Sequence, residues 1–257
     1  MSTDLSLLQE SVVLLSGFAA GAINTVVGSG TLITFPTLLA FGVPPVTANV
    51  SNTLGLVPGS LSGAIGYRAH LVGQRDRILR LIVATTIGAA IGATLLLVLP
   101  SGAFRRIVPL LIVVGLALVV LGPRLSARAA ARAAEAGWDS TPDAGWVPPA
   151  VLGAGVYGGY FGAAQGVIML GILGAGVHEP LQRQNAVKNI VVASSNSLAA
   201  VIFIFSGHID WLIAGLLAVG AAAGGQLGAH LGRRLPAPAL RAFILVVGVT
   251  ALVAFLV

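Results

Sequence analysis

Residues 88–105 read GAAIGATLLLVLPSGAFR, and residues 224–241 read GGQLGAHLGRRLPAPALR. Gly88 falls on Gly224, Gly92 on Gly228, Leu99-Pro100 on Leu235-Pro236, Ala103 on Ala239 and Arg105 on Arg241, all at an offset of 136 residues. The match runs over 87–121 and 223–257 and continues upstream, with Pro44 over Pro180, Asn49 over Asn185 and Tyr67 over Phe203. One module is therefore written twice. Its medium follows from composition: 56% of residues are hydrophobic and 9% charged, and the mean hydropathy is +0.98. No soluble globular domain is built that way.

Crossing ~30 Å of hydrocarbon takes roughly 20 apolar residues. Stretches of about that length lie near 11–27, 45–67, 78–99, 104–122, 146–162, 181–205, 209–231 and 239–257, and shorter apolar pieces occupy 31–41 and 166–175. The expectation is an all-α, polytopic membrane protein of two inverted-topology repeats, about 8 full spans with two half-membrane helices, 8–10 segments in all. The organisation divides as a first repeat over 1–121, a cytoplasmic linker over 122–145 and a second repeat over 146–257.

A net charge of +6 and a pI near 11.1 do not signal nucleic acid, because the arginines sit in short loops between apolar spans. Without cysteine there is no disulfide, thiol chemistry or thiolate metal site. The first ten residues carry Asp4 and Glu10 and no basic residue, unlike a signal peptide, so the first apolar run reads as a retained span.

Basic residues orient the chain. Arg68, Arg75, Arg77 and Arg80 lie in one loop and Arg124, Arg128 and Arg132 in the linker. Arg183 and Lys188 follow the second short piece, and Arg233, Arg234 and Arg241 lie near the last span. These 12 of the 14 basic residues fall on one side if each short piece returns the chain to the side its preceding span came from. Both termini then lie outside. The linker arginines recur every four residues, fitting a tether or a surface-lying amphipathic helix, and Trp138, Asp139, Pro142, Asp143 and Gly145 end it.

The chemistry is expected at the short pieces. Gly28-Ser29-Gly30 interrupts an apolar run before Thr31, and Gly162-Ala163-Ala164-Gln165-Gly166 does so in the second half. An eleven-residue helix reaches only ~16 Å. A helix beginning in mid-membrane presents unpaired N–H groups and a positive dipole end, which lipid cannot satisfy and an anion can. Glycine pairs 17/21, 88/92 and 224/228, each four apart, read as close packing.

The helix after each short piece is polar on one face. Asn49, Asn52 and Ser60 align in the first half, and Asn185, Lys188, Asn189 and Asn196 in the second. Amides and hydroxyls suit an oxyanion, and also suit plain helix bridging. Lys188 has two readings, a charge in the site or a side chain snorkelling to the interface. Gln226 and His230 read as packing or interfacial, and Asp76 and Asp210 as helix N-caps. His70, His178 and His208 show no metal-ligand spacing, and neither a nucleotide-binding loop nor a catalytic constellation is present.

The run Gly17, Ala20-Gly21, Asn24, Gly28-Ser29-Gly30, Pro36, Gly42-Val43-Pro44, Ala48 and Asn52-Thr53, with Tyr67 and Asp76, resembles the first half of the TauE/SafE sulfite-exporter family. Gly158-Gly159, Gly162, Gly176, Ala186, Lys188, Asp210, Gly224, Gly228 and Pro236 resemble its second repeat. Thr31 stands where a further glycine is common, and Ala163-Ala164 replace glycines. The resemblance implies a non-enzymatic, cofactor-free transporter in the bacterial cytoplasmic (inner) membrane, exporting sulfite or small organosulfur anions such as sulfoacetate. Alternating access would use substrate contacts from Asn24, Gly28, Ser29, Gly30, Thr31, Asn49, Asn52, Thr53, Ala163, Ala164, Gln165, Gly166, Asn185, Lys188 and Asn189. A passive anion channel and another sulfur oxyanion such as thiosulfate are the alternatives. The expected partners are the small anion and the lipid bilayer, not nucleic acid, and a homo-oligomer stays open.

Overall fold

The computed structural model describes residues 5–135, 143–231 and 237–256. Within them lie ten α-helices: α1 (Leu7–Val26), α2 (Thr31–Ala40), α3 (Pro45–Gly66), α4 (Arg75–Val98), α5 (Ser101–Glu135), α6 (Val147–Tyr160), α7 (Gln165–Gly176), α8 (Leu181–Ile204), α9 (Trp211–Leu231) and α10 (Ala237–Leu256). A short 3-10 turn, Arg68–Leu71, joins α3 to α4. The chain is an all-α, polytopic membrane protein. Four helices, α1, α4, α8 and α9, are long and apolar enough to cross a bilayer. The expected full span at 146–162 is a helix of 14 residues, only ~21 Å long.

Local signals explain the helix ends. Ser6 and Gln9 form a capping box ahead of α1. Pro45 opens α3 at its first turn, where a missing N–H costs nothing. Asp210 caps α9, its Oδ1 accepting from the N–H groups of Leu212 and Ile213 at 3.1 and 3.2 Å. Asp76 does not cap α4. Gln74 holds the cap position and Asp76 lies inside the first turn, where a carboxylate still faces the positive dipole end.

Small residues set the packing. Gly21 lies against Ala221, and Gly224 and Gly228 lie against Phe18 and Ala22, so α1 and α9 run parallel at backbone contact. Gly88 meets Leu152 and Gly92 meets Val156, which makes α4 and α6 the equivalent parallel pair. Apolar side chains gain nothing by leaving lipid, so close backbone approach and dispersion hold such pairs together. α3 follows α9 in the same direction, from the Ser51–Asp210 hydrogen bond of 2.8 Å to Gly66 against Ala229.

The short helices fold back. α7 returns Gly176 to Trp146 and Val147 at the start of α6, where the Ala144 N–H donates to the Gly176 carbonyl at 2.9 Å. α2 leaves the end of α1 with Gly30 beside Ala20. The linker is largely helix, because α5 runs unbroken for 35 residues to Glu135. Trp138, Asp139 and Pro142, with Arg233 and Arg234 of the later loop, lie outside the described residues.

A Cβ on Gly92 would sit 2.7 Å from the Tyr160 nitrogen and 2.9 Å from the Val156 carbonyl carbon. Gly92→Leu is therefore expected to cost about 1–3 kcal/mol and to lower the melting temperature of detergent-purified protein by several degrees. Gly153, with open space at its Cβ position, is the control, and Gly153→Ala should leave the melt unchanged.

Candidate functional site: two helix breaks and a buried lysine

The two interrupted helices meet backbone to backbone. Gly28 has φ of 87°, in the left-handed region that glycine enters without strain. The Gly166 N–H donates to the Gly28 carbonyl at 3.1 Å, which satisfies one of the first-turn donors of α7. At the second break Gly162 has φ of 74° and Ala164 φ of 60°. Ala164 is the one non-glycine residue with positive φ among the described residues. Backbone strain of this kind collects at functional sites.

Breaking α1 and α6 also strands their last carbonyls, and each set is met by a helix from the other half. The Lys188 Nζ of α8 donates to the carbonyls of Asn24 and Thr25 at 3.2 and 3.1 Å, and the Asn189 amide donates to the Thr25 carbonyl at 3.4 Å. The Asn49 amide of α3 donates to the Tyr160 carbonyl at 3.0 Å. Lys188 is 1% exposed. Its ammonium does not reach the interface; it sits on the negative end of the α1 dipole.

A small cavity of about 10 Å³ lies where these elements converge. Asn24, Thr25 and Gly28 form one wall, and Ser60, Gly166, Lys188 and Asn189 the other. The Asn24 amide donates to Ser60 Oγ at 3.2 Å across it. That volume holds about one water.

The other expected contacts are engaged elsewhere. Thr34 Oγ1 donates to Asn52 Oδ1, and the Asn52 amide donates to Thr31 Oγ1 at 3.4 Å, so Asn52 anchors α2. Thr53 Oγ1 donates to the Asn49 carbonyl at 2.9 Å. Gln165 donates to the Ala154 carbonyl and Ser195 Oγ at 3.2 and 3.1 Å. Gly30 contributes its carbonyl to the first turn of α2 and Ala164 to that of α7, while the Ala163 carbonyl accepts from the Tyr157 hydroxyl at 2.5 Å. Four acceptor or hydroxyl atoms around the breaks, Ser29 Oγ, Asn49 Oδ1, Gln165 Oε1 and Asn185 Oδ1, are buried without a protein partner. Sequence reasoning missed Thr25 because its contribution is a main-chain carbonyl, and it placed Ser60 on the polar face without assigning it to the site.

The two ends of the molecule close differently. At one end Arg77 bridges Asp143 at 2.8 Å and Glu179 at 2.9 Å, and Glu179 also pairs with Arg183 at 2.6 Å. At the other, Phe35, Phe104, Phe161 and Tyr160 pack edge to face with centroids 5.0–6.4 Å apart. Beyond Phe104 lies a pocket of about 470 Å³ lined by Pro44, Thr47, Leu96, Gly102 and His208.

Paired half-length helices, backbone satisfied from within the protein and a buried lysine beside a small cavity describe a membrane transporter. Residues 13–255 match the family described as Sulfite exporter TauE/SafE, and the chain belongs to it. It is 28% identical over 217 residues to the Escherichia coli "Probable membrane transporter protein YfcA", covering 82% of this chain and 76% of that one. A "Probable membrane transporter protein" of Haemophilus influenzae is 27% identical, over 84% and 82% of the two chains. The Sinorhizobium sp "Probable membrane transporter protein ORF9" is 26% identical, over 96% and 92%. No solved structure gives a significant match. The protein is a transporter and not an enzyme.

Arg77 is 17% exposed and ties the start of α4 to the segment before α6 and to the α7–α8 turn. Arg77→Ala leaves the largely buried Asp143 carboxylate without its main partner, while Glu179 keeps Arg183, and is expected to cost about 1–3 kcal/mol. The check is a thermal double-mutant cycle with Asp143→Ala, in which the pair should show coupling of about 0.5–3 kcal/mol.

Proposed function

We propose that the protein is a secondary transporter exporting sulfite or a small organosulfur anion across the bacterial cytoplasmic membrane by alternating access. Its frame is two repeats of inverted topology, 1–121 and 146–257, joined by a cytoplasmic linker over 122–145. The observation that carries the reading is the small cavity where Lys188 meets both helix breaks. Helix starts, amide donors and one ammonium attract an anion, and a space of about 10 Å³ must enlarge before any sulfur oxyanion enters. A site that is too small in one state and must enlarge to load favours a carrier over a continuous channel.

The sides follow from charge. The end holding Arg77, Arg80 and Arg183 lies in the cytoplasm by the positive-inside rule. The aromatic end, with its vestibule near His208, faces outward, and both termini lie outside. The chain has no cysteine, so single cysteines report topology directly. In intact cells a membrane-impermeant maleimide should label His208→Cys and reach Val72→Cys only after permeabilisation; the reverse pattern would overturn the orientation.

Function is read in proteoliposomes. Purified protein should move labelled sulfite, show counterflow, and lose at least ~10-fold in rate on Lys188→Met, which removes the charge while keeping an unbranched stem. Failure to move sulfite, thiosulfate or any sulfonate would defeat the reading.

A further inference from the structure

Resting on that transport reading, we infer that the site is charge-selective. It takes a monovalent oxyanion, hydrogensulfite or a simple sulfonate, in preference to dianions such as sulfoacetate, sulfate or the fully ionised sulfite ion.

The inference comes from counting charge around the cavity. Lys188 is the one ionisable side chain in its wall; the others are Asn24, Thr25, Gly28, Ser60, Gly166, Asn189 and Val192. No carboxylate pairs with Lys188 among the described residues, and its two bonds go to neutral carbonyls of α1. The helix ends then cancel. A helix carries roughly +0.5 charge at its N-terminus and −0.5 at its C-terminus. At the first break the C-terminal end of α1 meets the N-terminal start of α2, and at the second the end of α6 meets the start of α7. The lysine is left as the one uncompensated ionisable group, at most +1 in total.

The first repeat does not double it. α3 and α8 both begin one residue after the aligned prolines Pro44 and Pro180, so the position equivalent to Lys188 is Asn52. That residue is neutral and engaged with Thr31 and Thr34. A monoanion therefore neutralises the site, whereas a dianion leaves a full negative charge in a pocket buried among apolar helices, where an uncompensated ion is strongly disfavoured. Lys188 has three N–H donors, two of them used by α1. One donor remains for an anion oxygen.

The test uses wild-type protein in liposomes with labelled sulfite, methanesulfonate, sulfoacetate and sulfate. Methanesulfonate stays a monoanion at all working pH values, whereas sulfite passes from monoanion to dianion near neutrality. The expected result is a ratio of sulfite to methanesulfonate transport that falls with the monoanion fraction of sulfite, about 10-fold per pH unit once the second ionisation is passed. Sulfoacetate and sulfate should be at least ~10-fold slower than methanesulfonate. Loss of charge on Lys188 slows both anions alike, so the ratio isolates the substrate's own ionisation, Lys188 being the one ionisable side chain that lines the cavity.

Equal rates for sulfoacetate and methanesulfonate, or a sulfite rate indifferent to its second ionisation, would overturn the charge selection and leave the transporter reading intact. No movement of any of the four anions would overturn both. Ser60→Lys, placing a second ammonium on the cavity wall, should shift preference toward sulfoacetate by at least ~10-fold, provided size-exclusion shows it folded. A folded variant that keeps the original preference also counts against the inference.

Discussion

A helix interrupted inside hydrocarbon strands main-chain donors and acceptors that lipid cannot satisfy, and this fold is arranged around two such interruptions. The contacts to main-chain groups at the core of the site answer that constraint. The Gly166 N–H is met by the Gly28 carbonyl, the Asn24 and Thr25 carbonyls by Lys188, the Tyr160 carbonyl by Asn49 and the Ala163 carbonyl by Tyr157. α8 serves the break in α1 and α3 serves the break in α6, so each half satisfies backbone groups of the other. The interlocking of the repeats through α1 with α9 and α4 with α6 brings the partners into reach.

Much of this architecture was legible in the sequence, for a simple reason. Bilayer thickness fixes segment length, so apolar runs translate into helices, and the two short runs at 31–41 and 166–175 became α2 and α7. Glycine pairs four apart translate into backbone contact, as Gly88 and Gly92 do against α6. The contact pattern of the polar residues was not legible. Asn52 and Lys188 occupy equivalent places in the repeat, yet one holds its own half's α2 and the other crosses to α1. Which way a polar face turns depends on packing between halves, and periodicity carries no information about that. The linker shows the same limit, since its arginine spacing fitted either a tether or a helix and only the structure extends α5 into it, as far as Glu135.

The duplication is also less regular than its later helices suggest. Val27 and Gly28 both donate to the Ile23 carbonyl, and Phe161 and Gly162 both donate to the Tyr157 carbonyl, so the two breaks are the same turn. Their register is two residues short of the one kept from α3 onward, and α7 at 12 residues is longer than α2 at 10 by that amount. Gly166 therefore does not face a true copy of itself across the pseudo-symmetry. Gly28 and Gly166 are nevertheless brought together, because both lack a Cβ at the point where the backbones cross.

That irregularity carries a functional consequence. A duplicated carrier with identical halves would present two equal sites and two equal closures. Here one half supplies the lysine and the other an asparagine; one end closes with ion pairs around Arg77, the other with four aromatic rings. Charges pulled apart at the ionic end are taken up by water, which offsets most of the lost Coulomb energy. Rings parted at the other end expose apolar surface, at roughly 25 cal/mol per Å² with no compensating hydration. The two ends thus draw on different physics, within a fold whose two halves are copies of one module.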